Sequence, residues 1–108
     1  MSTLTAKRLS QTALSANLTT VLYTVPASTS TIVKEIVLCN TDSVSRTVTL
    51  YAGNGTTAAQ TILAAKSLVA GETFILSLST VLATANTISG GASVGSMVSC
   101  TISGVEIV

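Results

Sequence analysis

The residue types able to do acid–base or nucleophilic chemistry are few and scattered. The chain has no histidine, so neither a Ser-His-Asp nor a Cys-His arrangement can be assembled. A Ser-Lys pair is formally available among 15 serines, but nothing singles one out and no GxSxG stretch occurs. Glycoside hydrolysis needs two carboxylates flanking one bond. The four acids are Glu35, Asp42, Glu72 and Glu106, with Asp42 and Glu72 in separate turn-like stretches. They read as unrelated solubilising surface groups. Cys39 and Cys100 have no CxxC spacing and no histidine beside them, which excludes a zinc site. Each reads as a small buried hydrophobe. A disulfide would require their strands to pair or face each other with Cα atoms roughly 4.4–6.8 Å apart. Asn40-Thr41-Asp42-Ser43 has the look of an oxygen-ligand calcium loop, yet it carries one carboxylate where several are needed. "GGASVG", from Gly90 to Gly95, lacks the Lys and Ser/Thr of a phosphate loop and reads as a hinge between strands. These absences lead to the expectation of a non-enzyme with no cofactor, no metal and no small-molecule substrate.

The bulk composition bounds the partners. Charged residues make up 8% of the chain, against about 25% in ordinary domains. Ser and Thr, 15 and 19 of them, stand in their place, and mean hydropathy is +0.69. A hydroxyl-rich surface at net charge +1 tends to self-associate, so much of it is expected to meet other protein. Five Lys and Arg form no basic stripe, which argues against nucleic acid. Lys7-Arg8 is the only adjacent basic pair, either solvated or set against an acidic neighbour. The best membrane-span candidate, residues 61–83, is broken by Lys66 and Gly71-Glu72. "LSQTALSANLTT" is too polar for the apolar part of a signal peptide, so synthesis in the cytoplasm of a host is expected. The glycosylation patterns at Asn17 and Asn54 are accordingly chance matches.

Period-2 alternation between turn residues predicts an all-β chain with little or no helix. Leu4–Leu9 is a first strand or arm, and strands are expected at 18–25, 31–40, 46–52, 73–78 and 97–108. A further short strand is expected near Thr87-Ile88-Ser89, and "AAQTILAAKSL" is an irregular strand or loop. In the last strand the apolar residues move from even positions (Val98, Cys100, Ile102) to odd ones (Val105, Ile107) across Gly104. That shift reads as a β-bulge at the glycine. About eight short antiparallel strands predict one jelly-roll-like β-sandwich over residues 1–108, with 1–15 an N-terminal arm or first strand.

Strand 31–40 is apolar on both faces. Its even face is Ile32, Lys34, Ile36, Leu38 and Asn40, and its odd face is Val33, Glu35, Val37 and Cys39. A strand covered on both sides reads this way. A chain this short has no third layer of its own, so the second cover is expected from another subunit, unless the N-terminal arm supplies it. Alternation does not say which face is which. The candidate interface residues are therefore Lys7, Arg8, Ile32, Val33, Ile36, Val37 and Leu38. Tyr51 joins them as the one ring opposite the Val48/Leu50 face.

From Leu22 to Gly55 and from Leu68 to Gly90 the chain resembles small structural proteins of tailed bacteriophages. The shared pattern is "LYTVP", a polar turn, "IVKEIVLCNT", an alternating Val-Thr strand, "LVAGET" and "LATANTI". It covers about residues 18–103 and consists of turn and core positions, so it carries over no ligand or catalytic residue. The resemblance implies a β-sandwich of the kind found in capsid decoration (cement) proteins, head fibres and tail-associated proteins. A decoration protein located in the virion is the leading expectation. Its partners would be further copies of itself and the major capsid protein or other virion proteins. A receptor- or glycan-binding tail module and a head–tail connector or tail component are the alternatives.

Overall fold

The computed structural model describes residues 3–108. Eight strands form two four-stranded antiparallel sheets: β1 (Leu4–Ala13), β2 (Val21–Thr24), β3 (Ser30–Asn40), β4 (Arg46–Gly53), β5 (Thr61–Leu68), β6 (Thr73–Leu82), β7 (Thr87–Ala92) and β8 (Val98–Ile107). A three-residue 3-10 turn, Ala58–Gln60, precedes β5. The strand orders are β1-β8-β3-β6 and β2-β7-β4-β5. Apart from β4 and β5, consecutive strands lie in opposite sheets, which is the wrapping of an eight-stranded jelly roll. The expected sandwich is present.

The two inner faces interdigitate in the way aligned sheets do. From the first sheet come Val33, Ile36, Leu38, Leu82, Val98, Cys100 and Ile102, and from the second Val48, Leu50, Leu68, Ile88 and Ala92. Of the two expectations for residues 1–15, arm or first strand, Leu4–Ala13 is the strand β1, paired along its length with β8, while Met1 and Ser2 lie outside the described residues. The strand expected at 18–25 is only four residues long. Asn17 folds the chain ahead of it by accepting the backbone N–H of Thr19 on its side-chain oxygen, at 3.0 Å.

The two-faced appearance of β3 comes from a bulge. Val33 pairs with Gly104 and Glu35 with Ser103, so Lys34 is an extra residue against β8. An extra residue switches the side of every residue that follows it. The buried set is therefore Thr31, Val33, Ile36, Leu38 and Asn40, odd before the bulge and even after it. Both charges, Lys34 and Glu35, are exposed. This corrects three expected interface residues: Val33, Ile36 and Leu38 are core, with 1%, 0% and 0% exposure.

The bulge expected at Gly104 is likewise misplaced. β8 alternates without a break from Val98 to Ile107, with Gly104 and Glu106 inward and Val105 and Ile107 outward. The extra residues sit in its neighbours, Leu9 in β1 and Lys34 in β3. Gly104 lets them crowd in, since a Cβ there would strike the Ile32 carbonyl oxygen and lie 3.1 Å from Leu9. The "GGASVG" hinge is no hinge in its first half, because Gly90–Ala92 is the buried end of β7. A Cβ on Gly91 would sit 2.5 Å from the Asn17 carbonyl oxygen and 2.7 Å from that of Ser15.

Candidate assembly surface

The register of the first sheet places its outward residues in bands. Ala6, Val105, Ile32 and Val81 lie side by side across all four strands. Leu4 pairs with Ile107 at the same end of the sheet. The next band is polar: Arg8, Ser103, Glu35 and Ser77. Beyond it Val37 pairs with Ile75, and Cys39 with Thr73. Two apolar bands thus flank a polar belt on one face. Leu4 and Val81 are 67% exposed and Ile75 is 55% exposed.

Of the expected interface residues, Ile32, Val37 and Arg8 lie on this face. Lys7 turns to Glu106 instead, and Tyr51 lies on the outer side of the other sheet, half-buried between Thr61 and Ser89. Ala6, Ile75, Val81, Val105 and Ile107 complete the surface and were not singled out from the sequence. Part of their signal was local: in "TFILSLSTVL" Ile75 and Val81 fall on odd positions while Phe74, Leu76, Leu78 and Leu82 on even ones face the core, but which of them line up across the sheet depends on the register.

A polar cluster ties β1 and both sheets together behind this face. Glu106 is 8% exposed. Its carboxylate accepts a hydrogen bond from the Tyr23 hydroxyl of the second sheet and one from Lys7 Nζ of β1 at 3.2 Å. The Tyr23 oxygen also lies 2.9 Å from the Thr31 hydroxyl. Glu106 is thus a buried, fully partnered acid rather than the surface group its sequence context suggested. The Tyr23 hydroxyl, then Lys7, hold its carboxyl below the ordinary glutamate range against the opposing effect of burial. Burial first, and then the carboxylate beside it, push Tyr23 up to about 12.

These shifts set the pH dependence. A depressed carboxyl contributes stability that is present above its unfolded value and lost as pH falls through the folded one. The raised tyrosine contributes stability that is intact below 10 and lost between 10 and about 12. Thermal melts across pH are expected to show an acid limb below the ordinary glutamate range. Glu106→Gln should shrink that limb, leaving the part due to Asp42, whose carboxyl Arg46 also holds low. An acid limb unchanged in Glu106→Gln would show that the cluster contributes nothing to stability.

The cysteines cannot join. Cys100 pairs with Leu38 and Cys39 with Ser99 on adjacent strands, but Cys100 points into the core and Cys39 outward. Burial pushes the Cys100 thiol up to about 12. In the calcium-like turn, Asp42 is held by Arg46 at 2.6 Å and Asn40 is engaged with backbone groups. Among the described residues there is no group of three or more metal-ligating side chains, no pocket, and no helix long and apolar enough to cross a membrane.

An outward apolar face on an eight-stranded jelly roll defines an all-β module of the class that includes viral capsid and lectin domains. No family model matches the sequence, and no curated protein does. Three of the solved structures that share the fold follow. One is the T13 viral particle of IBDV (TM-score 0.54, 13% identity, 98% of this chain and 30% of that chain). Another is the VP2 subviral particle of infectious bursal disease virus (0.53, 15%, 98% and 32%). The third is the Gx strain of the same virus (0.50, 16%, 99% and 32%). The chain spans less than a third of the length of each. At these identities the likeness is one of fold alone. The neighbours belong to infectious bursal disease virus and not to a tailed phage.

Proposed function

We propose that the chain is a non-enzymatic structural protein of a virion, and specifically a tailed-phage decoration (cement) protein. It would bind the capsid exterior and bridge its subunits by burying apolar area. The banded outer face of the first sheet carries this reading. Ala6, Val105, Ile32 and Val81 form an apolar strip across four strands, with no further layer over it among the described residues. A stable contact needs about 800 Å² per partner, and a broad four-stranded sheet face is the kind of surface that can contribute to it. The hydroxyl-rich, charge-poor composition, the viral-particle fold and the sequence resemblance support the same reading. Its partners are further copies and the major capsid protein.

Gold-labelled antibody against the chain, viewed on virions by electron microscopy, tests the location. Label over the whole shell is expected. Label at a single vertex would overturn the decoration role in favour of a neck or tail component, and unlabelled virions would overturn the virion role altogether. Tail-module glycan binding is the weaker reading, because its one aromatic candidate, Tyr51, is half-buried between neighbouring strands.

A further inference from the structure

We infer that β6 is a pairing edge, and that its partner is β6 of a second copy of this chain. The two strands would run antiparallel about a two-fold axis, so that two four-stranded sheets become one of eight. This deepens the self-association in the proposed function, but it rests on the chain alone.

The sandwich has four edge strands, and three carry devices that block pairing. β1 has Lys7 and Arg8 at its middle and a bulge at Leu9. β2 is four residues long and is soon followed by Pro26. β5 has Lys66, two register shifts and Ala65 at φ +45°. Charge, proline, bulges and shortness are the means by which natural sheets keep edges from joining. β6 lacks charge, proline and shortness; its one irregularity is against β3, where Leu78 and Ser79 together face Lys34, whose Nζ donates to Ser79 Oγ at 3.0 Å. It is ten residues long, "TFILSLSTVL", with no charge and no proline, and its side chains alternate out and in throughout. Among the described residues, none of its backbone groups bonds outside the β3 ladder.

The sequence of β6 is also self-complementary. Both sandwiches stay on the same side of a joined sheet only when paired residue numbers sum to an even value. Centring the pair on Leu78 sets Ile75 opposite the second copy's Val81 and Ser77 opposite its Ser79, each twice. Inward, Phe74 faces the second copy's Leu82. Registers shifted by two residues set Ile75 beside Ser79 or off the strand end, and lose the apolar match. In the centred register the strip Ala6-Val105-Ile32-Val81 of one copy continues into Ile75-Val37 of the other. The dimer would therefore present an apolar strip of six residues in place of four, repeated by the two-fold axis, each strip ending where Val37 meets Thr101.

Light scattering on the purified chain, without capsids, should give twice 10.9 kDa. Ile75→Lys/Val81→Lys places like charges opposite each other twice, and should weaken the dimer by about tenfold or more. Its circular dichroism should be unchanged, because both side chains point to solvent. Leu4→Lys, equally exposed on the same face but on β1, should leave the dimer intact. In a Cys39→Ser background, mixing Ser77→Cys with Ser79→Cys protein under oxidation should give a cross-linked dimer. A one-chain mass at millimolar concentration without that cross-link would overturn the inference. So would an assembly dissociated by Leu4→Lys, which would mean face-to-face stacking, or one that the β6 variant leaves unchanged. Capsid labelling does not depend on any of these outcomes, so the two proposals fail separately.

Discussion

Leu38→Lys is expected to yield no folded protein, whereas Val37→Lys, one residue away, should fold normally and fail to assemble. Leu38 is fully buried against the opposite sheet. Lysine there would have to bury an ammonium group with no partner, or the core would have to open. An unpaired buried charge costs far more than the roughly 2–5 kcal/mol of a buried Leu→Ala change, while a domain's whole stability is about 5–15 kcal/mol. Val37 points the other way, beside Ile75, and a lysine there can run its methylenes along the apolar band and keep its ammonium in water. The cost to folding should be within about 1 kcal/mol. The readouts are circular dichroism with chemical denaturation for folding, and co-sedimentation with capsids lacking the protein for assembly. If both variants unfold, the outward face is part of the folding core and the partner argument fails. If Val37→Lys folds and still binds capsids, this face is not where they meet.

The contrast shows what the sequence could and could not say about β3. The apolar run from Ile32 to Cys39 was legible as a strand, and it is one, with Ile32, Val37 and Cys39 on its outward face. Which residues share a face was not legible, because parity holds only while pairing is regular. One extra residue at Lys34 exchanges the faces and carries both charges outward. That bulge depends on Gly104, about 70 positions away, whose missing side chain lets Ile32 approach. The same glycine drew attention in the sequence, and the parity change across it was real. Its cause was different: β8 stays regular, and its outward face turns apolar where its inward face reaches Glu106.

Glu106 was illegible for a related reason. Its partners, Lys7 and Tyr23, are 99 and 83 residues distant, and only the wrapping of the jelly roll brings them to it. "GGASVG" misled because glycine pairs usually mark flexible turns. Gly91 instead makes room for the Ser15–Asn17 backbone. The strand count and the sandwich came from local signals. The surface bands needed the register, which is a long-range property.

Asn40→Ala should be the costliest polar substitution in the chain. Asn40 is fully buried at the end of β3, where a residue on the core face would ordinarily be apolar. Its amide nitrogen donates to the carbonyl oxygens of Val44 at 2.9 Å, Leu68 at 3.0 Å and Val69 at 3.2 Å. Its side-chain oxygen accepts the backbone N–H of Asp42 at 3.0 Å. Its backbone bonds Glu72 and Gly71 in the turn leading into β6. One side chain thus fastens the β3–β4 turn to the β5–β6 turn, closing one end of the sandwich and fixing where the free edge begins. Alanine would leave those carbonyls without this donor in a site that excludes most water, at about 2–4 kcal/mol by the cost of unsatisfied buried groups. Asn40→Asp keeps the shape but aims a carboxylate at three carbonyl oxygens. At neutral pH it should destabilise more than alanine does, and part of the loss should return in acid, where the carboxyl is protonated and can donate. Urea denaturation of the three proteins at neutral and acidic pH measures both effects. An Asn40→Ala protein within about 0.5 kcal/mol of the parent, the range of an ordinary surface change, would mean that the two turns close without this side chain. In that case the start of β6 would have to be held by the Glu72 backbone and by its carboxylate, which accepts the Val69 N–H at 2.9 Å.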